Sequence, residues 1–118
     1  MPISRTEFDP IAIAVDWLDA GKLGDLDSLL DLHDERATLE CACEGVTLTG
    51  REALSAYWAL KLNSPTEAAF SLADMILTDG GVRVDYQNYE GKSVRIHFRF
   101  TPSGKIAHAS CGPLACAA

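Results

Sequence analysis

The chain has 118 residues, 47% hydrophobic and 23% charged. That is room for one globular domain and not two, and it is the composition of neither a disordered nor a membrane chain. Seventeen acids against ten bases give a net charge of −7; the bases are scattered, so phosphate backbones are repelled and no nucleic-acid partner is expected. No apolar run approaches the roughly 18 residues of a spanning helix, and Met1 to Arg5 lacks the basic start and apolar block of a signal peptide, so the expected location is the cytoplasm.

Asp9-Pro10 opens the first helix, over about residues 10 to 20. Asp accepts backbone N–H bonds as the cap, and Pro fills the first helical position, where its missing donor costs nothing. Phe8, Ile11, Val15 and Leu18 recur at helical spacing beside Ala14 and Trp17, and Gly21 is read as the left-handed stop. Asp25 caps a second, shorter helix in which Leu26, Leu29, Leu30 and His33 share a face. His33 is read as a partly buried structural histidine.

Ala37 to Cys41 alternates as a strand, and a turn at Glu44-Gly45 leads to a brief extended piece over Val46 to Leu48. Thr49-Gly50-Arg51-Glu52 matches a capping box. The helix it opens presents Leu54, Trp58 and Leu62 as one row, with Tyr57 at its edge, and stops near Asn63-Ser64-Pro65.

From Thr66 the apolar period changes from about 3.6 to 2. Asp79-Gly80-Gly81, Asn88 to Gly91 and Pro102-Ser103-Gly104 are turn sequences separating four strands, about 67–77, 82–89, 92–101 and 105–111. Short hairpins make these an antiparallel meander. Val82, Val84 and Tyr86 then oppose Arg83, Asp85 and Gln87, while Val94, Ile96, Phe98 and Phe100 oppose Arg95, His97 and Arg99. The apolar set faces the helices and the charged set faces out. By the same parity His108 faces out, and Asp85 and Glu40 are expected to pair with Arg83, Arg95 or Arg99 across strands. The chain reads as a single domain over 1–118, in which Pro113 begins a loose C-terminal end and 114–118 form the tail. Helices followed by a meander make an α+β domain with its helices on one face of a curved antiparallel sheet.

Four cysteines, Cys41, Cys43, Cys111 and Cys116, without an export signal read as thiols rather than a disulfide framework. Cys41 with Cys43 lacks the usual two-residue zinc spacing, so no metal and no cofactor are expected. As a nucleophile Cys41 needs a cation or a helix N-terminus to lower its pKa, and no basic residue is near it in sequence. Asp74, inside an apolar strand, is the remaining general-base candidate if its side chain turns inward.

The order LDAGKLGDLDSLLDLHDERATLEC, then LTGREALSAYW, then VRIHFRFTPSGKIAHASCGP resembles the nuclear-transport-factor-2-like superfamily, and within it the SnoaL-like proteins and ketosteroid isomerases, over about residues 8 to 113. The resemblance implies a cystatin-like, cone-shaped half-barrel with a small-molecule pocket at its wide end. It also implies a homodimer through the outer sheet face, here Arg95, His97 and Arg99. Ketosteroid isomerases shuttle a proton with a carboxylate and hold the enolate with a Tyr and a protonated Asp. The matching positions here carry Cys41, Ala14 and Ile96, so that mechanism is not expected. The same mapping places Cys41, Trp58, Ile96, Phe98, Ala109 and Cys111 on the concave side, with Tyr86 and Trp17 as additions; tryptophans such as Trp17 and Trp58 are more often core residues than ligand platforms. The expected ligand is a small apolar or aromatic molecule. The function is expected to be either a SnoaL-like enzyme of isomerase, cyclase, dehydratase or hydrolase type, or a non-catalytic module for dimerisation or ligand sensing.

Overall fold

The computed structural model describes residues 8–42, 45–63 and 69–113. The expected turn residue Glu44, the helix stop at Ser64-Pro65, the strand start at 67–68, Cys43, Cys116 and the tail 114–118 lie outside the described residues.

Helix α1 spans Pro10–Leu23. Asp9 caps it as expected, its carboxylate accepting from the Ile11 N–H at 3.0 Å. The stop, however, is Gly24, at φ 68°, and not Gly21. Gly21 lies inside the helix, buried, because the ring of Phe70 rests on it: a Cβ there would stand 2.5 Å from the ring. Helix α2 (Leu26–Asp31) is capped by Asp25, which accepts from the Ser28 N–H at 3.1 Å. His33 is not part of that helix but the first residue of strand β1 (His33–Cys41), four residues longer at its start than the alternation suggested. Its Nδ1 lies 2.9 Å from the Leu29 carbonyl.

Strand β2 is Val46–Thr49, and α3 is Arg51–Asn63. The helix starts with Gly50 at the cap, its carbonyl accepting from Leu54 N, one residue past the Thr49 of the expected box. Arg51 ties this start to α2 through Asp31 at 2.9 Å. Leu54, Trp58 and Leu62 form the buried row.

The meander is strands β3 (Leu72–Thr78), β4 (Gly81–Gln87), β5 (Ser93–Phe100) and β6 (Ile106–Pro113). The third strand begins later than expected because Ala69 and Phe70 make a turn, with Phe70 at φ 63°. Pro113 pairs with Val94 and belongs to the sheet, not to a tail. The order β2-β1-β6-β5-β4-β3 makes a curved, open sheet. All its neighbours are antiparallel except β1 and β6, which are parallel. No hairpin joins those two, so no tight turn dictates their relative direction.

The alternation holds: Val82, Val84, Tyr86, Val94, Ile96 and Phe98 are buried under the helices. At their centre Trp17 is fully buried and meets Trp58, Phe70, Tyr86 and Phe98 edge-on, with centroids 5.1 to 5.6 Å apart. On the outer face Arg95 forks onto Asp85 at 2.7 and 3.0 Å, and this guanidinium holds the carboxyl below its usual range. Glu40 pairs with His108 at 3.4 Å instead of with an arginine. Among the described residues no helix is long and apolar enough to cross a membrane.

Gly21→Ala improves helix propensity by about 1 kcal/mol yet drives a methyl into the Phe70 ring. The clash wins, and denaturant unfolding is expected to show a net loss of roughly 1–3 kcal/mol. Burial pushes the His33 imidazole down to about 4 from 6.5. Between those values the unfolded chain binds a proton that the folded chain refuses, so this contribution is intact above 6.5 and lost on acidification. Stability at about pH 4.5 is expected to fall roughly 2–3 kcal/mol further in the native chain than in a His33→Asn variant, measured by denaturant unfolding against about pH 7.

Candidate functional site

The open end of the curve, where β1 and β6 finish and β4 turns into β5, is closed over by α3. A cavity remains there, of about 30 Å³, room for about one water. The sheet supplies its floor, with Leu39 and Cys41 from β1, Tyr86 from β4, Ile96 from β5 and Cys111 from β6. Leu39, Cys41, Tyr86 and Ile96 are buried, as alternate inward residues of their strands must be. Cys41 and Cys111 are directly paired in register across the parallel β1–β6 ladder, so both thiols project to the same side. No disulfide joins them.

Helix α3 supplies the roof. Tyr57 and Trp58 lie about one turn before Lys61, and all three line the cavity. The β4–β5 turn supplies the rim with Asn88 and Tyr89. Asn88 Oδ1 accepts from the N–H groups of Glu90 and Lys92 at 2.9 and 3.0 Å, which fixes the turn and so the position of Tyr89. Lys61 crosses the mouth: its Nζ stands 4.7 Å from the Tyr57 ring centroid and 4.6 Å from that of Tyr89, and donates to the Tyr89 hydroxyl at 3.3 Å. Such contacts hold an ammonium over ring faces by their quadrupoles. Trp58 is 6% exposed, and its buried indole N–H has no acceptor among the described residues.

Of the residues expected at the pocket, Cys41, Trp58, Tyr86, Ile96 and Cys111 are brought together there. Trp17, Phe98 and Ala109 are not: they are buried in the core below it, where Trp17 fills the space that would have deepened the cavity. Asp74 is also corrected. It is exposed and turned outward, 3.9 Å from Arg83, because the register pairs it with Asp85 of the outer face. It cannot serve as a base in the cavity. Ala14, at the position of the isomerase Tyr, is buried in α1.

Sequence reasoning missed Lys61, Tyr89, Asn88, Phe70, Leu39 and Tyr57 as lining residues. The spacing of Tyr57 and Lys61, one helical turn apart at the end of an amphipathic helix, carried a usable signal for the first. Among the described residues the lining has no carboxylate and no imidazole, and no group of three or more His, Cys, Asp or Glu is placed to hold a metal ion. His97 and His108 lie on the outer face as parity required. His97 bonds Thr78 at 2.6 Å, and His108 bonds Thr38.

No protein-family model matches the sequence, and no curated protein matches it. Solved structures do. A SnoaL-like protein of unknown function from Burkholderia thailandensis superposes with a TM-score of 0.79 at 21% identity, over 93% of this chain and 97% of that one. An NTF2-like protein of unknown function from Mesorhizobium loti gives 0.70 at 22% identity, over 95% of each chain. The epoxide hydrolase/cyclase-like enzyme SalBIII, described in pyran ring formation in the polyether salinomycin, gives 0.67 at 21% identity, over 92% of this chain and 93% of that one. This chain therefore has the fold of the SnoaL-like and NTF2-like proteins.

Proposed function

We propose that this chain binds a small apolar or aromatic molecule in the cavity between α3, the sheet floor and the β4–β5 turn. The observation that carries this reading is an enclosed cavity walled by Leu39, Tyr57, Trp58, Phe70, Tyr86 and Ile96, against which burial favours an apolar ligand by about 25 cal/mol per Å². At about 30 Å³ the cavity has room for about one water, so a ring-sized ligand binds only if α3 and the β4–β5 turn part to widen it. Entry requires Lys61 and Tyr89, both half-buried at the rim, to swing aside. A second groove, of about 470 Å³, lies at the other end of β4 and β5 between Phe8, Leu77 and Phe100. It is open to solvent and offers less burial per unit of ligand surface.

The reading is binding first. Among the described residues the lining holds no carboxylate for proton transfer, and its polar groups are the tyrosines, the thiols, Asn88 and Lys61. The likeness to SalBIII supports cyclase-type chemistry only as far as a shared fold can. The expected test uses N-phenyl-1-naphthylamine, whose emission rises when it is buried. It should bind the native chain, and Cys111→Phe, which fills the cavity from its half-buried edge, should weaken it by at least about tenfold with the circular dichroism spectrum unchanged. Undiminished binding to that variant rules the cavity out.

The outer face supports a second reading, that two copies pair through the sheet. All three helices pack on the inner face, and the outer one carries Arg83, Arg95 and Arg99 beside Asp74, Asp85 and Glu40. A two-fold axis through such a face can set the arginines of one copy against the acids of the other. In this pairing Arg95, His97 and Arg99 meet the partner. Sedimentation should then give a mass near twice 12.7 kDa, and Arg99→Glu, which leaves the Asp85–Arg95 pair intact, should shift it toward the monomer. A native chain that stays monomeric at high concentration excludes this pairing.

A further inference from the structure

We propose that Cys41 and Cys111 form a reversible oxidation site, joined as a disulfide when the chain meets a hydroperoxide and returned to thiols by a small-molecule thiol. The proposal goes beyond the pocket reading and needs no ligand to enter the cavity. Three observations converge. First, the two residues are register partners in the parallel β1–β6 ladder. Neighbouring strands lie about 4.8 Å apart, within the roughly 4.4–6.8 Å that separates the Cα atoms of disulfide-bonded cysteines. The Ala42 N–H donates to the Cys111 carbonyl at 2.7 Å, so the register is held at the pair itself. Second, both side chains are thiols, Cys41 buried and Cys111 half-buried. Third, both also line a groove of about 310 Å³ at the ends of β1 and β6, open to solvent beside Val46, Thr47 and Ser110. A small oxidant therefore reaches Cys111 without passing Lys61 and Tyr89, and Cys41 stands beside it as the more protected sulfur.

The chemistry balances in two steps. The Cys111 thiolate attacks one oxygen of the hydroperoxide and the O–O bond breaks. The sulfur becomes a sulfenic acid, and the departing oxygen leaves as water, or as an alcohol from an organic hydroperoxide, with the proton the thiol lost. The Cys41 sulfur then attacks the sulfenic sulfur: the S–S bond forms, the S–O bond breaks, and the hydroxyl leaves as water with the Cys41 proton. The two sulfurs give up two electrons and the peroxide takes them. Closing the bond brings the Cβ atoms to about 3.8 Å, so side chains that stand parallel about 4.8 Å apart must lean together. Cys41 is the last residue of β1, where the ladder can give, yet the bond remains strained. Strained disulfides are the readily reduced ones. Two molecules of a thiol such as glutathione reverse it by exchange, leaving as one disulfide and restoring both cysteines.

Hydrogen peroxide treatment of the native chain, followed by trypsin and mass spectrometry, is expected to show fragments 37–51 and 106–118 joined, with the protein still at single-chain mass on a non-reducing gel. Excess glutathione should separate them. Those fragments also carry Cys43 and Cys116, so the assignment uses the Cys43→Ser/Cys116→Ser double variant, which should form the bond at a rate within about twofold of the native chain. Cys41→Ser should stop at the Cys111 sulfenic acid, captured by dimedone at least about tenfold more than in the native chain. The double variant keeps both cysteines of the pair, so its result stands whether or not Cys41→Ser folds. The proposal is overturned if the double variant forms no bond, if cross-links arise only between chains, if dimedone labels Cys111 equally with and without Cys41, or if glutathione leaves the bond intact. None of these outcomes bears on ligand binding, so the pocket reading is tested separately.

Discussion

The indole of Trp17 sets the depth of the half-barrel. Fully buried, it stands edge-on to four rings drawn from α3, the turn before β3, β4 and β5, so one side chain of α1 joins the helical layer to the sheet. Its buried N–H has no acceptor among the described residues, which costs about 1–3 kcal/mol. Each aromatic pair contributes about 0.5–1.5 kcal/mol beyond its burial, so the four together offset that cost. Phe70 is held in this cluster at a positive φ of 63°, and Gly21 gives up its Cβ to admit it. What remains unfilled is the small space between α3, the sheet floor and the β4–β5 turn.

The parts legible in the sequence are those governed by local chemistry. Asp9 and Asp25 cap helices because an aspartate oxygen reaches the N–H groups of the next turn. The faces of β4 and β5 follow from period 2 alone, and they put Val84 and Ile96 inside and Arg83 and His97 outside. The misreadings are tertiary. LDAGKLGD contains two glycines either of which could end the helix; only the Phe70 ring, distant in sequence, shows that Gly21 is needed for close approach and Gly24 for its φ. Asp74 depends on a register shift in the β3–β4 ladder, which no alternation reveals.

The site divides in the same way. Cys41, Trp58, Tyr86, Ile96 and Cys111 were legible because strand parity, one helical row and the family resemblance agree on them. Trp17 and Phe98 were assigned to the same wall, but parity says only that a residue faces inward, not whether core or cavity lies beyond it. Tyr89 and Lys61 were hidden because a turn residue and a lysine in a helix's last turn both have ordinary explanations. Their meeting across the mouth is a long-range event. The fold is that of the SnoaL-like and NTF2-like proteins, and among the described residues this cavity is walled by rings, aliphatic groups and two thiols beside Lys61 and Asn88, with His97 and His108 bonded to threonines on the opposite face.

Whether a ligand occupies the cavity is the most direct question to put to this chain. Two-dimensional NMR of the labelled chain during titration with N-phenyl-1-naphthylamine addresses this directly. Saturable shifts are expected for the Trp58 indole N–H and for the backbone amides of Leu39, Tyr86 and Ile96, with the amides of Met75 to Thr78 in β3, away from the cavity, unmoved. Shifts confined to the groove of Phe8, Leu77 and Phe100, or no saturable shift at all, would contradict binding in the cavity.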